Sequence, residues 1–221
     1  MSKQEELVST IIDALDELNA DDPAADRLAS YLYVADGRIS GYINQFKVLL
    51  SNIEDSQFSS QQKQTFRQEA GKLLEQIAYL SFKVLRGASV FKSFQSAGPQ
   101  YDLLVAGDDS DWMAISKVFY INMSNRDILI EAKARRGKVD DQDFARLCSL
   151  MELNISTASL GIFFTLSGAT GFPDSNAARQ RCLRDAKLRQ VLFYNRTGKM
   201  IIVFTKEDIF SLAENASLTQ L

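Results

Sequence analysis

Asp127-Ile128-Leu129-Ile130-Glu131-Ala132-Lys133 is a short apolar run that ends in a carboxylate and an ammonium two residues apart. The unbroken Ile128–Ile130 segment has the character of a strand covered on both faces. In a strand the i, i+2 spacing sends Glu131 and Lys133 to the same face, where a buried element surfaces. Charges are seldom placed there for stability alone, so the rest of the chain is read outward from this strand.

Downstream, Asp140 to Leu153 has helical spacing and opens on acidic residues that suit a helix N-terminus, and Leu160 to Leu166 reads as another strand. A basic helix is expected from beyond Pro173 to about Arg189, followed by a hairpin of Val191 to Asn195 and Lys199 to Phe204 around Arg196-Thr197-Gly198. Upstream, Gln100 to Ala106 and Ser89 to Gln95 read as strands, and a long helix is expected from Gln61 to about Leu85, ended by Gly87. Before the polar break at Asp55 to Ser60, amphipathic runs over Glu5 to Asn19 and Ile39 to Ile53 predict an N-terminal helical bundle or hairpin. Its expected role is packing on the rest of the chain, dimerisation, or docking of a protein partner. The pattern predicts an α/β protein, a mixed β-sheet flanked by helices, with residues 1–60 as the helical segment and 61–221 as the main domain.

Composition narrows the chemistry. The 221 residues, 46% hydrophobic, are enough for one sizeable core. No apolar run approaches the ~18 residues of a membrane span and the first residues are too acidic for a signal peptide, so a cytoplasmic protein without membrane contact is expected. The chain has no histidine, which excludes Ser-His-Asp and Cys-His hydrolases, HExxH proteases and imidazole-based nucleases. Its two cysteines, Cys148 and Cys182, read as buried free thiols. No nucleotide-cradling glycine motif occurs. Residues 1–60 hold 4 basic against 11 acidic residues, leaving 21 against 17 in the remainder, so the net charge of -3 hides a basic main domain.

Hydrolysing a phosphodiester without histidine needs charge neutralisation and an activated water, which Mg²⁺ supplies through oxygen ligands. Glu131 and Lys133 share a face, Asp102 at the start of the preceding regular strand offers a second carboxylate, and the Ala132 carbonyl is a further ligand candidate. Arg135, Arg136 and Lys138 follow the strand directly, and Arg179 and Arg181 lie on the later basic segment; both groups are candidate phosphate contacts.

These residues resemble the PD-(D/E)xK nuclease superfamily, and within it the Mrr-like restriction endonuclease domains. Gly71-Lys72-Leu73-Leu74-Glu75 is similar to the family's first-helix element, Gln100 to Val105 to its metal-binding Asp strand, Ile128 to Lys133 to its E-x-K strand, and Leu160 to Gly168 to the strand that follows. Ala177-Ala178 lies where the next family helix begins. The resemblance spans about Gln61 to Phe204. It implies a restriction-endonuclease-like sheet of four to five strands and a Mg²⁺-dependent endonuclease (Mn²⁺ as substitute) acting on double-stranded DNA, as in restriction or antiviral phage defence. Asp102, Glu131, Lys133 and Glu75 would be its catalytic residues, with Asp102, Glu131 and Ala132 at the metal. The alternatives are a catalytically inactive nuclease-fold scaffold and an RNA-directed or signal-activated defence nuclease. Two departures stand out: Gly98-Pro99-Gln100-Tyr101 replaces the usual Gly-Asp-Gly neighbourhood, and the long Gly107–Arg126 segment is expected to add a strand pair or hairpin.

Overall fold

The Asp127–Lys133 run is the middle strand, β3, of a mixed five-stranded sheet in a computed structural model that describes residues 33, 36–92, 101–118, 126–170 and 186–215. Among the described residues six helices accompany it: α1 (Arg38–Glu54), α2 (Ser60–Lys83), α3 (Ser110–Val118), α4 (Asp141–Ser149), α5 (Ala186–Thr197) and α6 (Lys206–Asn215). The strands are β1 (Ser89–Lys92), β2 (Leu103–Ala106), β3, β4 (Ala158–Thr165) and β5 (Met200–Phe204), and their spatial order follows the chain. β1, β2 and β3 pair antiparallel; β3, β4 and β5 pair parallel. Parallel neighbours need crossovers, which α4 and α5 provide.

Alternation along the strands divides the core into two layers. Ile128 and Ile130 of β3, with Leu160, Ile162 and Phe164 of β4, pack on α1, α2, α3 and α6; Leu129 and Phe163 pack on α4 and α5. All eight residues of β4 are buried, as a strand covered on both faces requires. Gly161 in β4 faces the α4 side. A Cβ there would lie 2.9 Å from Met151 Sδ and 3.0 Å from Leu147 Cδ2, so the missing side chain lets the helix layer approach the sheet.

The long helix begins on a capping box: Gln62 N–H donates to Ser59 Oγ, and Ser59 N–H to Gln62 Oε1. It buries Ala70, Leu74 and Ile77, and Gly87 at φ +70° follows its end, where a Cβ would meet Asp109 and the Trp112 backbone. The second amphipathic run is α1, which buries Ile39, Ile43, Phe46 and Ile53 in the same core as α2 and the sheet. The described part of residues 1–60 is therefore continuous with the main core. The first amphipathic run lies outside the described residues.

Three local expectations are corrected. Val191–Asn195 is helical within α5, and β5 pairs parallel with β4, so there is no terminal hairpin. Gly198, at φ +68°, donates its N–H to Tyr194 O at 2.8 Å and closes the helix. The Gly107–Arg126 segment contributes α3, with Trp112 fully buried, in place of a strand pair; residues 119–125 lie outside the described set. After α4 the chain forms a π-helical turn, Leu150–Asn154, and α6 adds a helix the sequence pattern did not predict. Cys148 is a buried free thiol, whose pKa burial pushes up to about 11; Cys182 lies outside the described residues. No helix among the described residues is long and apolar enough to cross a membrane.

Candidate functional site

β3 delivers Glu131 and Lys133 to the sheet face covered by α4, as the two-residue spacing requires. Glu131 is 3% exposed. Its Oε1 accepts from Lys133 Nζ at 2.8 Å and from Arg146 of α4. Lys133 also reaches Asp143 Oδ1 at 3.1 Å, and Asp143 in turn accepts from Arg135. Burying a carboxylate costs several kcal/mol unless it is paired, so two cations on one oxygen account for how Glu131 is accommodated. Its other oxygen, Oε2, is buried with no hydrogen-bond partner among the described residues.

Asp102 immediately precedes β2. The β2–β3 register pairs Leu103 with Ile130, and Asp102 N–H donates to Ile130 O at 3.3 Å, so Asp102 stands opposite Glu131. Leu104 packs in the α4-side core, and Asp102, two residues earlier, shares that face with Glu131. Asp102 Oδ2 accepts the Ala132 N–H at 2.7 Å. Burial drives its pKa up to about 6; the Ala132 hydrogen bond and Lys133 oppose the rise, while the charges of Glu131 and Glu75 add to it. Glu75 is exposed on α2, off the apolar stripe, yet close enough for its charge to act on Asp102.

The N–H and C=O of one strand residue point to the same edge. The Ala132 carbonyl is therefore directed to the β2 side, where its N–H meets Asp102. Glu131 Oε2, the Asp102 carboxylate and this carbonyl are all hard oxygen donors, the type that Mg²⁺ takes. Glu131 Oε2 has no hydrogen-bond partner among the described residues, and burial raises the pKa of Asp102 beside it. Among the described residues no group of three or more acidic, Cys or His side chains has metal-holding geometry.

Of the candidate phosphate contacts, Arg135 is half-exposed and tied to Asp143; Arg136 is 66% exposed, with Glu54 at 3.8 Å; Lys138 is exposed. Arg179 and Arg181 lie outside the described residues.

Two residues of the cluster were missed in the sequence. Asp143 and Arg146, three apart, share one face of α4. Asp143 serves as the reciprocal partner in the Asp140 capping box, and its pKa is lowered: burial would raise it, but the Asp140 N–H, Lys133 and Arg135 outweigh that. An acidic first turn looks like dipole compensation alone, which hid the second role. The signal present was an acid and a base three residues apart in the helix that follows the strand.

Comparison with protein-family models, with curated proteins and with solved structures finds no match to this chain.

Proposed function

We propose that this protein is a Mg²⁺-dependent endonuclease with a restriction-endonuclease-like PD-(D/E)xK domain, and that its substrate is DNA. The observation that carries the reading is the convergence of Asp102 and Glu131 on one face at the end of β3, with Lys133 beside them and Glu131 Oε2 buried and unpartnered. Asp102, Glu131 and the Ala132 carbonyl would hold the cation. When bound, it would neutralise phosphate charge and lower the pKa of the attacking water.

The chain's own groups have separate tasks. The Ala132 N–H fixes the Asp102 carboxylate, leaving its orientation independent of solvent. Arg146 holds Glu131 in place and Asp143 holds Lys133, so the ammonium is positioned by two carboxylates. Lys133 is the group to orient the water or share its proton. Glu75, exposed at the rim, adds negative charge near Asp102.

The test is cleavage of plasmid DNA with Mg²⁺ by wild type, Lys133→Ala and Asp102→Ala. Wild type is expected to cut and both variants to lose activity by on the order of 10²–10⁴-fold. Equal traces from all three would refute catalysis; an RNA substrate run in parallel identifies an RNA-directed enzyme.

A non-catalytic scaffold is the second reading, and one observation favours it. Asp102, Glu131 and Asp143 are already balanced by Lys133, Arg135 and Arg146, leaving no formal charge deficit for a cation to fill. Calorimetric titration with Mn²⁺ separates the two, since a scaffold should show no saturable binding that depends on Asp102 and Glu131.

A further inference from the structure

At the C-terminal end of β3 and β4, on the α1/α6 side of the sheet, lies a cavity of about 650 Å³. Lys47, Arg67, Arg135, Arg136 and Lys206 line it, with Glu54 the one carboxylate among the described residues of the lining. These cations come from α1, α2, the chain after β3 and α6, four separate elements. A solvated charged face of one helix does not explain a cluster that tertiary folding assembles from four separate elements.

Details of the walls support a polyanion as the occupant. Lys47 Nζ lies 4.7 Å and Lys206 Nζ 5.5 Å from the centroid of the Phe210 ring, so both ammoniums are in contact with one aromatic side chain of the wall. The Arg136–Glu54 contact is long, 3.8 Å, with both side chains mostly exposed, so it contributes little and yields readily to a stronger anion. Ser167 donates its hydroxyl to Arg136 O at 2.7 Å and anchors the arginine-bearing loop. A neighbouring cavity of about 480 Å³ shares Leu166 and Ser167 and adds Lys138 together with Glu207. Arg135 belongs both to this cleft and, through Asp143, to the Asp102–Glu131 cluster.

We propose that this cleft binds the phosphodiester backbone of a nucleic acid, with Lys47, Arg67, Arg136 and Lys206 as phosphate contacts and Arg135 as the link toward Glu131. The class of ligand rests on the nuclease reading; the cleft's charge does not.

Fluorescence anisotropy in EDTA, with a short labelled single strand and the matching duplex, isolates binding from cleavage. Lys47→Glu/Arg67→Glu is expected to weaken binding at least about tenfold and to make the salt dependence shallower by about two. Lys63→Glu/Lys72→Glu, the same charge change on α2 outside the cleft, is expected to do neither. Lys47 and Arg67 are exposed, so folding should be retained; Lys47→Gln/Arg67→Gln, with a smaller loss, covers the case in which the reversal melts early. No binding to either oligonucleotide, or equal losses in the cleft and control variants, overturns the proposal. Binding lost in the cleft variants of a protein that cuts nothing refutes the nuclease reading and leaves the cleft standing, whereas cutting with unchanged affinity does the opposite.

Discussion

Two lysines are drawn into the α4 side of this protein, and they are satisfied in different ways. Lys199, 8% exposed, donates to the carbonyls of Met151 and Ser156 at 2.7 and 2.8 Å and ties down the π-helical turn. Burial lowers its pKa, with Glu152 opposing the shift. Lys133 instead bridges two carboxylates in a cluster that also holds Arg146, Arg135 and a carboxylate oxygen with no partner among the described residues. Neutral backbone acceptors that are used up mark a structural lysine. Opposed charges with one oxygen left over mark a place where a further ligand has something to gain.

Exchanging the fates of the two lysines is the strongest test of that contrast. On the proposed nuclease reading, Lys133→Met should lower DNA cleavage by on the order of 10²–10⁴-fold, with Arg146 still covering Glu131 and Arg135 still covering Asp143. Lys199→Met should leave cleavage per folded molecule unchanged and destabilise by about 1–3 kcal/mol, mainly through the orphaned buried carbonyl of Met151, a drop of about 3–10 °C by calorimetry. If Lys199→Met abolishes cleavage without a thermal shift, the division between the lysines is mistaken.

A smaller effect is expected where the α4 layer meets the sheet. Gly161→Ala places a Cβ against Met151, Leu147 and Ile201 and should cost about 1–3 kcal/mol in urea denaturation. The loss should affect both lysine environments through the common layer; an unchanged midpoint would mean that the helix layer yields freely.

The smallest effect concerns Asp102. Its folded pKa, about 6, lies above the ordinary value of 3.8, so between those values the folded protein binds more protons than the unfolded chain. The group therefore costs stability that is absent below about pH 4, grows as pH rises and is constant above about pH 6. In metal-free buffer Asp102→Asn should melt above wild type by the equivalent of ~1–2 kcal/mol at about pH 8, and level with it at about pH 4. A variant no more stable at high pH would mean that ionised Asp102 is already compensated, as Lys199 is.

Legibility in the sequence followed how local each signal was. Ile128 to Lys133 and Leu160 to Thr165 were readable as strands because their apolar runs are short and rich in β-branched and aromatic residues. The long helix and the helix after β3 were readable from periodicity and capping residues close in sequence. Val191 to Asn195 was not, because a five-residue run with apolar Val191, Leu192, Phe193 and Tyr194 fits either period; in α5 it buries Phe193 and leaves Val191, Leu192 and Tyr194 exposed. Only the parallel seat of β5 beside β4 required a helical crossover there.

For the candidate site, the sequence by itself determined that Glu131 and Lys133 share a face, since strand alternation is a property of the backbone. It also made the absence of imidazole chemistry certain. Long-range folding alone placed Asp102 across from Glu131, seated Asp143 on Lys133 and Arg146 on Glu131, and brought Lys47, Arg67, Arg136 and Lys206 into one cleft. Register between strands and the seating of helices depend on burial over long sequence separations, and no local pattern of residues encodes them.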